Sequence, residues 1–395
     1  MIKYNIHKLK YDLYIILLGV ASSFSLPPYN LFIINFFTFS LFFIYLFKFK
    51  ASTSYKLQYF KIGWLFGFGY FISNLYWISF SLSFDDNFKF LIPFSIILVP
   101  TFMALFYGLV TYICSYLINK EKIIASVFIF SIIFGLVEVM RGYVLTGFPW
   151  NLISYSFSKE IYFIQVLSLI GTYSFNIICI TLFTIPSIFI LKKSKSEIFA
   201  GLIFILIGVI FLIFGYNKIK NFNEKEIILN DYKFSIISSN ISLDRFYLND
   251  QEKNIIDELI LLSNPVKNEK TIFIWPEGLF PDTDLNNLQK YSKKFSEKFD
   301  VNHYIIIGIN NSKSSDNKVK HFNSLAVINH KAQVLTFYNK NKLVPFGEFL
   351  PFENILKKIG AKSLTNNYRS YSPGDKREII DLSLNGLKIK FLPLI

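Results

Sequence analysis

Long apolar runs fill the first half of the sequence and constrain its fold more than any other feature. A helix needs about 20 apolar residues to cross the hydrocarbon core of a bilayer. Seven candidate runs lie at 11–26, 30–47, 60–80, 90–118, 123–140, 161–191 and 198–216. Beyond residue 217 the composition becomes that of a soluble domain. The sequence therefore predicts a membrane domain of about seven transmembrane helices over residues 1–217 and an aqueous domain over residues 218–395.

The basic residues indicate how the helices are oriented. The formal net charge is +14, and the lysines form short clusters that flank the apolar runs. With the N-terminus inside, the inner loops carry twelve lysines, whereas the short outer loops carry only Lys89, Arg141 and Lys159. The positive-inside rule then predicts a cytoplasmic N-terminus and, in a bacterium, residues 218–395 on the periplasmic face of the inner membrane. Because the charge follows membrane topology, nucleic acid is not expected as a partner.

Cysteine and histidine give no sign of a metal or disulfide framework. Both cysteines, Cys114 and Cys179, lie inside apolar runs, which is typical of small apolar side chains in helices. The sequence contains no CxxC or HExxH motif and no histidine cluster. Metal dependence is therefore not indicated.

The aqueous half has the pattern of a layered α/β domain. Amphipathic helices are predicted at 250–262 and 285–299 and a polar turn at 310–320, with apolar strands at 234–238, 271–275, 304–309, 324–328, 333–338 and 387–395. Helices alternating with strands, then consecutive strands, favour an α/β sandwich covered by helices. Pro276 ends its strand, so Glu277 is expected at the carboxyl edge of the sheet, where ligands bind in such folds.

Several polar and aromatic residues allow both a functional and a purely structural interpretation. Glu277, Lys340 and Glu348 follow predicted strands, and each alone is typical of a surface ion pair. Glu138 and Arg141 lie one helical turn apart, which favours a mutually satisfied pair near the membrane interface. Trp77 and Trp150 either belong to an aromatic belt or contact substrate.

Taken together and in this order, these motifs resemble apolipoprotein N-acyltransferases, integral membrane enzymes of Gram-negative bacteria with a periplasmic nitrilase-type domain. The resemblance covers essentially the whole chain. It is carried by Leu26-Pro-Pro-Tyr-Asn30, Asn74-Leu-Tyr-Trp77, Glu138 with Arg141, Gly147-Phe-Pro-Trp150, Asn240-Ile, Trp275-Pro-Glu277, Phe322-Asn-Ser324 and the stretch 340–351. It implies an α-helical multi-pass membrane domain followed by an α/β nitrilase-like (αββα sandwich) periplasmic domain.

The resemblance also assigns roles to residues. It implies that Glu277 is the general base, Lys340 the cationic partner of the oxyanion, and Glu348 a loop carboxylate that shapes the site. It implies substrate-binding positions at Trp77, Trp150, Asn240 and Trp275. The implied reaction moves an acyl chain from a phospholipid to a cysteine as a thioester, then to the α-amino group of a diacylglyceryl-cysteine apolipoprotein. No freely diffusing cofactor is implied, and the membrane domain would hold the acyl chains.

One departure from the family concerns the nucleophile. The family places its cysteine directly after the strand that reads Phe391-Leu-Pro-Leu-Ile395 here, and the sequence stops one residue before that position. We therefore expect a nitrilase-like domain that is incomplete at its C-terminus and that cannot form the thioester by itself. Two alternatives stay open: an inactive truncated remnant that binds lipoprotein or phospholipid, and a membrane-anchored nitrilase-type amidohydrolase. A transporter is disfavoured because the sequence has no internal repeats.

Overall fold

The computed structural model describes two compact units. The described residues are 2–49, 55–84, 86–191, 194–223, 232–241, 252–280, 283–315, 318–345, 347–350, 370–384 and 387–393. Unit 1 spans Met1–Glu226 and unit 2 spans Ile227–Ile395. The last helix of unit 1 ends at Asn223, a few residues beyond the boundary predicted from composition. Each unit is described by itself.

The regular elements among the described residues of unit 1 are all helices. Its helices are α1 (Ile2–Ser23), α2 (Ile33–Lys48), α3 (Tyr55–Leu75), α4 (Ile92–Leu117), α5 (Ile123–Arg141), α6 (Ile161–Ile164), α7 (Leu167–Thr184), α8 (Pro186–Leu191) and α9 (Lys195–Asn223). Short 3-10 segments lie at Tyr76–Phe84, Asp86–Leu91, Val144–Thr146 and Ile153–Phe157. Helices satisfy their own backbone hydrogen bonds, which is what a spanning segment requires in lipid.

Among the described residues, four helical stretches are long and apolar enough to cross a membrane: Phe88–Leu117, Ile123–Arg141, Leu167–Leu191 and Lys195–Phe222. They coincide with the last four predicted runs, and the chain is accordingly a membrane protein. Helices α1, α2 and α3 occupy the first three runs, but α2 is shorter than a full span. For these three helices, crossing of the membrane stays a prediction.

Aromatic side chains and close backbone approaches hold unit 1 together. The rings of Phe42 and Phe66 stack with their centroids 4.1 Å apart in a buried core that also contains Phe130 and Phe134. An added Cβ at Gly19 of α1 would lie 2.0 Å from the carbonyl oxygen of Phe66 in α3. Small residues at such positions let membrane helices pack closely, since lipid gives little hydrophobic drive for association.

Unit 2 is built on a five-stranded sheet. Its strands, in sheet order, are β1 (Lys233–Ile236), β2 (Thr271–Ile274), β3 (His303–Ser315), β4 (Lys318–Asn329) and β5 (Val334–Asn339). The first three are parallel, and β4 runs antiparallel to both β3 and β5. Helix α10 (Glu252–Ser263) connects β1 to β2, and α11 (Ser292–Lys298) lies between β2 and β3. Parallel neighbours need such crossover connections.

The two faces of this sheet are covered differently. Alternate residues of a strand point to opposite faces. On one face Phe273 packs with Leu259 of α10 and Phe295 of α11. On the other, Ile272 packs with Leu382 of a separate hairpin, β6 (Ile380–Leu384) and β7 (Leu387–Phe391). The described part of unit 2 is therefore an α/β domain with a helical layer, a five-stranded sheet and a two-stranded sheet, in agreement with the predicted fold class.

Three predicted boundaries in unit 2 were wrong. The polar turn predicted at 310–320 is instead the far part of a long hairpin, in which Ser315 pairs with Lys318. The hydrogen bonds that join two strands are made by backbone groups and do not depend on side-chain polarity. The polar residues of this stretch therefore continue the strands β3 and β4. The helix predicted at 285–299 is divided into a 3-10 segment, Leu285–Tyr291, and α11. The last strand ends at Phe391, and residues 394–395 lie outside the described part.

Candidate active site

The side chains of four polar residues meet at one edge of the unit 2 sheet: Glu277, Asn323, Lys340 and Glu348. Glu277 follows β2, Lys340 follows β5, and Asn323 lies in β4 between them. Because β5 runs parallel to β2, the carboxyl ends of these strands lie at the same edge. The backbone at Glu277 passes close to Gly308 of β3, which is possible because glycine has no Cβ atom. A Cβ added to Gly308 would lie 2.7 Å from the Cα of Glu277. The edge position predicted for Glu277 is thus the position observed.

One cation and one amide connect the two carboxylates. The Nζ atom of Lys340 lies 3.0 Å from Oε1 of Glu348 and 3.7 Å from Oε1 of Glu277. The Nδ2 atom of Asn323 donates to the same two oxygens, at 2.6 Å for Glu277 and 2.7 Å for Glu348. The side chains of Lys340 and Glu348 are 10% and 11% exposed, whereas that of Glu277 is 46% exposed. The cluster therefore holds its lysine firmly and leaves one carboxylate open.

Backbone hydrogen bonds fix the loop that carries Glu348. Its Oε2 atom accepts from the amide of Val344 at 2.7 Å, and its own amide donates to the carbonyl of Val344 at 2.9 Å. The amide of Tyr371 donates to the carbonyl of Glu348, and the amide of Gly374 donates to that of Lys340, both at 2.8 Å. The loop is thereby tied to the segment that leads towards β6.

Asn323 is the site residue that the sequence analysis did not assign. It was noted only within the Phe322-Asn-Ser324 motif, yet its amide contacts both carboxylates. Its amide nitrogen can donate twice, which suits a position between two acceptors. Its polarity alone gave no signal, because β4 also carries other polar side chains such as Lys320 and His321.

Trp275, for which the resemblance implies a substrate contact, lies in the core of unit 2, and a role in substrate binding stays a prediction. Its side chain is 3% exposed and packs in the core with Phe295 and Phe299. Its Nε1 atom donates to the hydroxyl of Ser263 in α10 at 2.9 Å. Burial with a satisfied N–H is typical of a core tryptophan. Asn240 is exposed in the segment after β1, and its role in binding stays a prediction.

In unit 1, Trp77 and Trp150 are brought together although they are far apart in sequence. Their rings stack with centroids 5.2 Å apart and planes at 27°. They are 41% and 52% exposed, and both line a cavity of about 800 Å³. Asn74, Pro28 and Tyr155 also line it, and none of its described lining residues is charged. Whether this pair contacts substrate stays a prediction.

The Glu138–Arg141 pair forms as predicted but is fully buried. The Nη2 atom of Arg141 lies 3.2 Å from Oε1 of Glu138, and both side chains are 0% exposed. Glu138 also accepts from the hydroxyl of Tyr107 at 3.0 Å and from the amide of Asn176. A buried ion pair needs such additional hydrogen bonds to offset the loss of hydration.

Both cysteines, Cys114 and Cys179, are free thiols buried in the helical core of unit 1. Across the ranges that the structure describes, no group of three or more His, Cys, Asp or Glu side chains is arranged to hold a metal ion.

Comparison with known proteins identifies the family. The sequence profile described as the apolipoprotein N-acyltransferase N-terminal domain matches residues 18–185. Over 382 residues the chain is 25% identical to the apolipoprotein N-acyltransferase of Rhodopseudomonas palustris, covering 93% of this chain and 70% of the relative. Along almost its whole length, the chain is similar to apolipoprotein N-acyltransferases. It is 27% identical over 388 residues to the protein of that name from Rhizobium leguminosarum, covering 94% of this chain and 72% of the relative.

A third relative agrees with this assignment. The apolipoprotein N-acyltransferase of Rhizobium rhizogenes is 28% identical over 399 residues, which cover 96% of this chain and 72% of the relative. Both units are therefore included in the similarity, and the chain is an acyltransferase by family. The membrane helices of unit 1 and the α/β domain of unit 2 agree with the architecture that the resemblance implied.

Proposed function

We propose that the chain transfers a fatty acyl group from a phospholipid to the N-terminal amine of the diacylglyceryl-cysteine of apolipoproteins. The observation that carries this proposal is the 3.7 Å separation of Lys340 Nζ and Glu277 Oε1 at the carboxyl edge of the sheet. A carboxylate that accepts a proton and a cation that stabilises an oxyanion are the two groups that acyl transfer needs.

The first half-reaction forms a thioester. Glu277 takes the proton of a thiol, and the thiolate attacks the ester carbonyl carbon of the phospholipid. Negative charge develops on the carbonyl oxygen, where Lys340 stabilises it. The C–O bond then breaks, Glu277 returns the proton to the departing oxygen, and the lysophospholipid leaves as an alcohol. The half-exposed carboxylate of Glu277 is accessible for this proton transfer.

The second half-reaction uses the same groups in the same order. The amine of the diacylglyceryl-cysteine attacks the thioester carbonyl, and Glu277 accepts the proton that the amine loses. When the C–S bond breaks, Glu277 returns this proton to the thiolate. Glu348 does not touch the reacting atoms in this scheme; it holds Lys340 in place through their 3.0 Å contact.

The thiol of this scheme is neither Cys114 nor Cys179, because both are 0% exposed in the helical core of unit 1. In the family, by the resemblance, this thiol belongs to a cysteine directly after the positions that match Phe391-Leu-Pro-Leu-Ile395. A small thiol added in solution can stand in for that side chain, since the chemistry requires only an S–H group beside the base.

The basic loops support the proposed location. Twelve inner lysines against three outer basic residues favour a cytoplasmic N-terminus and a periplasmic unit 2 in the bacterial inner membrane. The proposed acceptor, a lipoprotein anchored by its diacylglyceryl group, is presented at the same membrane.

The test uses the whole chain in phospholipid nanodiscs whose lipid carries a labelled acyl group. N-acetylcysteamine and a diacylglyceryl-cysteinyl peptide are supplied as acceptors, and products are identified by mass spectrometry. We expect lysophospholipid together with acyl-thioester and N-acyl peptide. Release of ammonia from small amides without acyl transfer would instead support an amidohydrolase, and peptide binding with no turnover would support a binding protein.

A further inference from the structure

The cavity in unit 1 has a wall without regular secondary structure. Residues 147–152 form neither helix nor strand, and Pro149, Trp150 and Asn151 of this segment line the cavity. Gly147 and Asn151 have positive φ angles of 88° and 57°, so the backbone turns sharply at both places. Backbone groups in such a segment must find partners outside it, and in a membrane domain water supplies few.

Buried side chains from three helices supply these partners. The Nη1 atom of Arg141 donates to the carbonyl oxygens of Phe148 and Trp150, both at 2.7 Å. The hydroxyl of Tyr70 in α3 donates to the carbonyl of Asn151 at 3.0 Å. At the far end of the segment, Oδ1 of Asn176 in α7 accepts from the amide of Ser154 at 2.8 Å. All four bonds hold backbone atoms, so the network sets the path of the segment.

The path in turn sets the position of Trp150. Its side chain is half-exposed and stacks on Trp77, which also lines the cavity. The stacking of two rings is by itself too weak to order an irregular segment. The hydrogen bonds to Arg141 and Tyr70 are therefore what keeps the two indoles together.

Glu138 makes this use of Arg141 possible. A lone guanidinium that is 0% exposed would be costly at membrane depth. Glu138 neutralises it through Nη2 and leaves Nη1 free to hold the two carbonyls. Intramembrane charged residues of this kind are commonly functional, and here the function is to shape the cavity.

We propose that Arg141 and Tyr70 are positioning residues for lipid binding. They hold segment 147–152 so that Trp150 and Trp77 form one wall of the cavity. None of the lining residues that the structure describes is charged, so the bound part of the ligand is an uncharged hydrocarbon-bearing group such as an acyl chain. That the ligand is a lipid rests on the proposed function, whereas the positioning of Trp150 rests on the hydrogen bonds.

The test compares R141K, Y70F and W150A with the unchanged chain in detergent. Tyr59→Phe is the matched control, because the Tyr59 hydroxyl also donates to a backbone carbonyl in unit 1, at Leu46, but does not touch the segment. Two quantities are measured: the exciton couplet of the stacked indoles in circular dichroism, assigned with W150F, and the affinity for a phospholipid with a pyrene-labelled acyl chain.

We expect both positioning variants to lose the couplet. Affinity should fall about tenfold in R141K and about threefold in Y70F, in proportion to the hydrogen bonds removed. W150A should also bind weakly, and Y59F should match the unchanged chain. A couplet and an affinity that persist in folded R141K and Y70F would overturn the proposal. If R141K does not fold, Y70F decides alone, and a retained couplet overturns the proposal.

This test is separate from the acyl-transfer chemistry. The variant E277Q alters a residue of unit 2 and should keep the couplet. If E277Q transferred acyl groups normally, the proposed function would fail while the positioning of Trp150 stood. If Y70F and R141K kept the couplet, the reverse would hold.

Discussion

Lys340 lies closer to Glu348 than to Glu277, at 3.0 Å against 3.7 Å. The shorter contact joins two side chains that are both nearly buried, whereas Glu277 stays half-exposed. Glu348 thus holds the lysine, and Glu277 remains available to exchange a proton with a substrate. This division of roles leads to different expectations for the two carboxylates.

Removing the cation should abolish most of the chemistry without unfolding the protein. We expect Lys340→Met to lower the rate of acyl transfer to N-acetylcysteamine by about 10²–10³-fold, because the oxyanion loses its charged partner. The measurement is the initial rate in nanodiscs. The control is K376M, which removes an exposed lysine paired with Glu378 and should leave the rate unchanged. Equal rates for K340M and K376M would contradict the role given to Lys340.

Asn323 should matter because it donates to two carboxylates. In N323D a third carboxylate would face Glu277 and Glu348, so we expect unit 2 to lose about 2 kcal/mol of stability at neutral pH. Chemical denaturation followed by Trp275 fluorescence, in a background where the other tryptophans are replaced by phenylalanine, measures it. The control is N329D, in the same strand. The new aspartate keeps the Oδ1 atom that accepts backbone hydrogen bonds in the turn after β4.

The two buried cysteines should be unreactive in the folded protein and should take no part in acyl transfer. Because Cys114 and Cys179 are 0% exposed, neither thiol should react with a water-soluble maleimide while the protein is folded, and both should react after denaturation. Mass spectrometry counts the labels. The double variant C114S/C179S should retain acyl transfer to an added thiol. Loss of transfer in a folded double variant would mean that one of these cysteines takes part.

Asp300 should make unit 2 sensitive to acid. Burial acts to raise the pKa of Asp300, but the amides of Asn268 and Asn302, with His303, overcome it and hold the pKa below its usual value. A carboxylate with a depressed pKa stabilises the fold above its unfolded pKa and loses this contribution as the pH falls through the folded value. D300N should therefore cost about 1 kcal/mol at neutral pH, and the difference should shrink as the pH falls below about 4 and through the folded pKa.

The control for this prediction is D381N, which alters an exposed ion pair with Lys390. Surface pairs of this kind contribute little, so its stability should follow that of the unchanged chain at every pH. A deficit for D300N that stays constant as the pH falls from about 5 to about 2 would show that the loss comes from packing and not from ionisation.

The sequence predicted the membrane helices well because each is marked by a long apolar run, which can be recognised without knowing any tertiary contact. Runs of apolar residues mark α4, α5 and α9 directly, whatever their neighbours are. The β3–β4 hairpin was missed at its far end because pairing partners, not side-chain polarity, decide where a strand stops. The resemblance supplied the roles of Glu277 and Lys340, and the sheet order explains why they meet.

Contacts between distant residues could not be obtained from the sequence. Nothing local distinguishes Trp275, whose indole is satisfied by Ser263, from Trp77 and Trp150, which stack beside a cavity. Tryptophan is common both in cores and at interfaces, so its type does not decide its role. Likewise, Asn323 becomes a site residue only when β4 is placed between β2 and β5.

The most direct test of the account is the rate of acyl-thioester formation on N-acetylcysteamine by E277Q, measured in nanodiscs beside E378Q. Glutamine keeps the size and hydrogen-bonding shape of Glu277 but cannot accept the thiol proton, so we expect a loss of at least about 10²-fold. E378Q alters an exposed carboxylate paired with Lys376 and should transfer at the normal rate. If E277Q and E378Q transferred acyl groups equally fast, Glu277 would not be the base and the proposed mechanism would be wrong.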